Sequence, residues 1–350
     1  MTYGVPPAQV RCAGGPNPRP WRRRASPPAA RAWLEGARAH PDVRAVLLGG
    51  SGGRGDGWAG SDLDLFVVWA GAGPPHLPRP ELAGRFTDVH PLPLAELERL
   101  MADPAALAES DAVDETAGGR PLHDPDGILA RWLAMLETRL AEPSTARARA
   151  KARLRAAHEF LAGAAREADP LESALLARDA ARLAAWADVA GRGGLITSAR
   201  RFADRFLGAC APEVGRPFAR AWGLGGGRPA VDDSIAALRE AMRFCLDGVG
   251  DGAGPPWLVA VRTLPPEERE ALLRRHPLPE LLEPALAAGY HNGVLMWMRG
   301  WYRIQFRDLL AGRPAGEWPR AARRFHGILG GEAEQAAALL EAVEARLPRG

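Results

Sequence analysis

Residues Leu47 to Val68 read LLGGSGGRGDGWAGSDLDLFVV, and this stretch decides the fold. Val43 to Leu48 (VRAVLL) has the apolar, partly β-branched character of a short strand and runs into a glycine cluster from Gly49 to Gly60. Leu63 to Trp69 (LDLFVVW) is a second strand of the same kind. Asp62 and Asp64 stand two residues apart, so on a strand their side chains leave the same face. Leu63, Leu65 and Val67 occupy the opposite face and can bury against helices. Two carboxylates held together repel unless a cation lies between them. Hard oxygen ligands at this spacing suit Mg²⁺, which takes one or two carboxylates together with substrate phosphates. Upstream, Gly49-Gly50-Ser51 lets the backbone approach a ligand, and the N–H groups of such a turn form an anion nest.

Rival readings of the glycine cluster fail on local chemistry. Gly50 to Gly55 formally satisfies the dinucleotide pattern G-x-G-x-x-G after a strand. That pattern must open a long helix, and Asp56-Gly57-Trp58-Ala59-Gly60 cannot propagate one. The acidic residue expected at the end of a second strand is also missing. A P-loop is excluded because no Gly-Lys-Ser/Thr is present. A bland reading, in which the aspartates merely cap a loop, leaves two charges uncompensated on an otherwise apolar strand.

The stretch Gly50-Ser51-Gly-Gly-Arg54-Gly55, followed by Ser61-Asp62-Leu63-Asp64-Leu65, resembles the signature of the minimal nucleotidyltransferases of the DNA-polymerase-β-like superfamily. That group includes the aminoglycoside and lincosamide nucleotidyltransferases and small adenylyltransferase antitoxins. The resemblance covers roughly residues 43–127, and the remainder is similar only in general layout to the larger antibiotic-modifying members. It implies Asp62 and Asp64 as catalytic Mg²⁺ ligands, with a third carboxylate on a later strand. Asp88, in Phe86-Thr87-Asp88-Val89-His90, matches that position best, with Asp111, Asp114 and Glu115 in reserve as the base. It further implies that Gly50, Ser51, Arg54 and Ser61 contact the nucleoside triphosphate, ATP in the leading case. Arg178, Arg200 and Arg201 on later helices stand where triphosphate contacts would be natural, with Arg201 the preferred candidate. The acceptor is then a hydroxyl of a small antibiotic-like molecule. Two alternatives remain: an adenylyltransferase acting on a partner protein, and a non-catalytic binding module on the same fold.

The rest of the chain supplies a frame. Residues 1–25 are rich in Pro, Gly and Arg and form a loose tail. Pro27 to His40 reads as a helix, Arg85 to His90 as a third strand and Leu94 to Met101 as a helix. Asp124-Pro-Asp126-Gly127 marks the exit from a catalytic domain spanning 26–127. Beyond it, residues 128–350 are a helical domain: 128–140, 144–168, 171–190, 197–209, 231–246 and 332–347 all carry helical spacing of Ala and Leu. The expected class is therefore α+β, a small mixed sheet followed by an all-helical domain. Tyr290 to Phe306, dense in aromatics, is a packed helix, an acceptor pocket or a homodimer contact.

The net charge of +3 is mild, and no basic tract is interleaved with aromatics, which argues against nucleic acid. No apolar run reaches the ~20 residues of a membrane span. The three widely spaced cysteines suit a reducing cytoplasm. Lys151 is the only lysine, so arginines or backbone N–H groups must hold any phosphate.

Overall fold

A computed structural model describes residues 28–55, 57, 63–75, 77, 87–196, 199–248, 265–275, 279–310 and 320–347. The tail expected at 1–25 lies outside the described residues. The chain divides into two compact units, Met1–Ala146 with Arg192–Leu195, and Arg147–Gly191 with Ile196–Gly350. The fold is α+β, with a small mixed sheet in the N-terminal region followed by helices.

In the first unit, α1 (Pro28–Ala39) precedes β1 (Val43–Leu48), the single helical turn α2 (Gly50–Arg54), β2 (Leu63–Trp69) and β3 (Thr87–Pro93). There follow α3 (Leu94–Ala102), α4 (Pro104–Glu109), α5 (Ala112–Thr116), β4 (Arg120–His123) and α6 (Ile128–Leu140). The strand order is β3-β2-β1-β4, with β1 antiparallel to both β2 and β4, and β2 parallel to β3. Alternation along β2 serves two cores. Leu63, Leu65 and Val67 pack with Trp33 of α1 and its neighbours on one face. Phe66 and Val68 pack on the other face with Leu97, Leu107, Leu129 and Trp132. The strand is thus apolar on both sides except where aspartate interrupts it.

The third strand, expected over 85–90, is described from Thr87 and runs on to Pro93; Arg85 and Phe86 lie outside the described residues. It continues through Pro91 and Pro93, paired with Val67 and Trp69. Proline cannot donate to a ladder but is tolerated on an edge, and β3 is the edge of the described sheet. At the exit, both Asp124 carboxylate oxygens accept from the first turn of α6, at 3.1 Å from Leu129 N and 2.9 Å from Ala130 N. These bonds satisfy otherwise orphaned donors. The change of composition near residue 127 falls inside this unit, because Ile128, Leu129, Trp132 and Leu136 of α6 complete the sheet's core.

The second unit contains the described helices α7 (Pro143–Arg166, from Arg147 on), α8 (Pro170–Gly191), α9 (Ala199–Ala209), α10 (Pro212–Trp222) and α11 (Gly227–Gly248). It continues with α12 (Pro266–Arg275), α13 (Pro279–Ala287), α14 (His291–Leu310), α15 (Arg320–His326) and α16 (Glu332–Arg346). Helices α10 and α13 were not anticipated, since each carries an internal proline, Pro217 and Pro284, that reads as a break. Alanines 177, 180, 181, 184, 185 and 187 of α8 are fully buried, so neighbouring helices approach closely against Phe202, Phe206 and Phe218.

Two buried arginines tie this unit together. Arg178 Nε donates to Ala221 O at 2.8 Å, Nη2 to Gly327 O at 2.8 Å, and Nη1 to His326 O. Arg299 donates from Nη1 to Trp222 O at 2.6 Å and from Nε to Phe325 O at 3.1 Å. The accepting carbonyls end α10 and α15, where orphan acceptors and the negative end of the helix dipole meet. Burial depresses the pKa of Arg178 to about 9 and that of Arg299 to about 10; Arg178 also feels the repulsion of Arg299, and Glu332 at 3.6 Å opposes the shift. Arg178, expected to contact a triphosphate, therefore spends its donors on helix ends. The described side chains of α14, with Val294, Leu295, Met296 and Met298 buried, behave as a packed core helix. Replacing Arg178 with Ala should lower stability by about 3–5 kcal/mol, read as a drop in the urea midpoint, because it strands several carbonyls and the buried Glu332.

Candidate metal centre

Parallel pairing of β2 with β3 places Asp64 opposite Asp88 and Phe66 opposite His90. Since side chains alternate, all four leave the same face. Asp64, Asp88 and His90 each bring one ligand atom to within 4.8 Å of the others. Burying two carboxylates side by side is costly without a compensating charge, and all three side chains remain only partly buried.

The glycine cluster shapes the wall of this site. Gly49 N donates to Asp64 O at 2.8 Å, tying the end of β1 to β2. Gly50 has φ +54°, and a Cβ built there would collide with Asp64 Oδ2. Only glycine allows that backbone conformation and that approach together. A Cβ at Gly53 would meet the carbonyl of Leu48. The turn closes with Gly53 N to Gly49 O at 2.7 Å and ends at Gly55, φ +75°. The helix that the glycines open is five residues long, in keeping with the expectation that the following residues could not propagate one.

Ser51 is buried within the turn. Arg54 donates to Asp114 O at 3.4 Å, linking α2 to α5. Ser61 and Asp62 lie outside the described residues. Arg201 is buried on α9 in the second unit. The three reserve acids separate. Asp114 is buried at the start of α5, whereas Glu115 sits within electrostatic reach of Asp64 and His90. Crowding of its carboxylate by protein raises the pKa of Glu115 although the side chain keeps solvent access, and Asp111 and Asp64 add to the rise while His90 opposes it.

His90 was not among the expected site residues, although its spacing of two from Asp88 on a strand carried the signal. Its ring stacks on Phe66 at 4.8 Å between centroids, 18° from parallel. Nε2 lies 3.7 Å from Asp64 Oδ1, too long for a hydrogen bond but a close ion pair when the ring is protonated. The interaction with Asp64 is the main cause of a raised His90 pKa; burial opposes it, and Glu115 and Asp88 reinforce it. The donors, two carboxylates and an imidazole beside a close glycine backbone, fit a divalent cation.

Among the described residues, no helix is long and apolar enough to cross a membrane. Compared with known proteins, the chain matches no family model and no curated protein.

Gly50→Ala should displace the Asp64 carboxylate and weaken divalent-cation binding by about 10-fold or more in a calorimetric titration, whereas Gly73→Ala, with nothing near its Cβ position, should leave binding unchanged. In metal-free protein the His90 ring should titrate above 6.5 by proton NMR, and Asp64→Asn should move it down. Because the folded-state pKa is the higher one, the contribution of the His90–Asp64 pair to stability is complete below 6.5. It is lost as pH rises through the raised value, so the melting advantage of the parent chain over Asp64→Asn should shrink over that interval.

Proposed function

We propose that this chain is a divalent-cation-dependent nucleotidyltransferase. It moves a nucleoside monophosphate from a triphosphate, ATP in the leading case, onto a hydroxyl of a small antibiotic-like acceptor and releases pyrophosphate. The observation that carries the reading is the in-register pair Asp64 and Asp88 against the Gly49–Gly50 backbone. The sequence signature that adds Ser61 and Asp62 supports it.

Asp64 and Asp88, joined by Asp62, would hold the cation. When bound, the cation neutralises triphosphate oxygens and polarises the phosphorus under attack. The leading N–H groups of the α2 turn have no intrahelical partner and are suited to phosphate oxygens. Glu115, within electrostatic reach of Asp64 and His90, is a candidate to take the acceptor's proton. The acceptor oxygen bonds to the α-phosphorus, the bond from that phosphorus to the bridging oxygen breaks, and pyrophosphate leaves with the electron pair.

Incubation with Mg²⁺ or Mn²⁺, labelled nucleoside triphosphates and a panel of aminoglycosides and lincosamides tests this. Pyrophosphate and a labelled acceptor are expected. Asp64→Ala should cut the rate by about 10³-fold or more in a protein that circular dichroism shows to be folded. Silence with every acceptor and every triphosphate would sink the reading.

A further inference from the structure

We propose that His90 is itself a ligand of this centre, so that the site selects a first-row transition ion such as Mn²⁺ over Mg²⁺. The inference rests on the reading of Asp64 and Asp88 as cation ligands, but not on the identity of the acceptor or on nucleotidyl transfer.

Distance is the first argument. Two ligand atoms about 2.1 Å from one ion lie roughly 3 to 4.2 Å apart, from adjacent to opposite positions of an octahedron. His90 Nε2 and Asp64 Oδ1 stand 3.7 Å apart, inside that interval and outside hydrogen-bonding range. All three ligand atoms fall within 4.8 Å, a gap that small side-chain rotations close.

Strand geometry is the second. His90 follows Asp88 by two residues on β3, so backbone register alone delivers nitrogen and oxygen to the same face. Phe66, buried in the sheet's core, stacks on the imidazole and limits its rotation. The ring is thereby held with one nitrogen toward Asp64, as a ligand requires.

Donor chemistry is the third. Mg²⁺ favours oxygen ligands throughout, whereas first-row transition ions accept a neutral imidazole more readily, Mn²⁺ least among them but still more than Mg²⁺. Replacing one oxygen donor by nitrogen therefore moves preference up that series. A histidine acting only as a charge partner for the carboxylates would leave the preference among divalent ions unchanged, which makes the two roles separable.

The test uses the full chain without nucleotide. With Mn²⁺ bound, pulsed electron paramagnetic resonance should show modulation from a directly coordinated ¹⁴N, and the signal should vanish in His90→Phe, which keeps the stack on Phe66. Calorimetry should give Mn²⁺ at least about a 10-fold advantage over Mg²⁺, reduced to less than about 3-fold in His90→Phe and in His90→Ala. Circular dichroism melts confirm that each variant is folded, and two substitutions guard against the loss of one. Mn²⁺ binding without ¹⁴N modulation, or with the same preference in both variants, overturns the proposal. Absence of Mn²⁺ binding in the parent chain overturns it together with the metal centre. A nitrogen-coordinated Mn²⁺ in a protein that releases no pyrophosphate sustains this inference while defeating the proposed function.

Discussion

Parallel pairing between β2 and β3 is the constraint from which the candidate site follows. It sets Asp64 against Asp88 and Phe66 against His90, with no freedom left to the side chains about which face they share. A slip of β2 by one residue would turn Asp64 into the apolar packing beneath α1 and set leucine in its place beside Asp88. The hydrophobic pattern of β2 therefore enforces the position of the charges. Two carboxylates brought side by side this way need a counter-charge, and His90 is the group within reach in the described structure.

Glycines do the complementary work. Gly49 and Gly50 bring the end of β1 so close to β2 that any side chain would strike Phe66 or the Asp64 carboxylate. Gly53 permits the next turn to pack on the carbonyl of Leu48. The cluster is thus a close-contact device as well as a bend. That explains why a one-turn helix, rather than an extended helix or an open loop, follows the strand.

The helical unit solves a different problem. Its alanine-rich core allows close helix approach but leaves helix ends inside the protein, where unpaired carbonyls are expensive. Arg178 and Arg299 answer this by bridging the ends of α10 and α15. An arginine in an alanine-rich helix looks from sequence like a solvated face or a phosphate contact. Its partners come from residues more than forty or a hundred positions away, and no local pattern announces them.

Local rules determined much of this protein by themselves. Periodicity placed most of the long helices, short apolar runs placed β1 and β2, and the mismatch between a glycine-rich run and helix propagation limited α2 to a single turn. Spacing alone put Asp64 on one face of its strand. Tertiary structure decided what lies beside that face: Asp88 by strand register, His90 by the same register continued two residues, and Glu115 through the packing of a short helix no periodicity revealed. It also decided that α10 and α13 persist through prolines and that Arg178 turns inward. The physical reason is the same in each case. Backbone geometry repeats over a few residues and can be read from sequence, whereas the partner of a side chain is chosen by pairing and packing between distant segments.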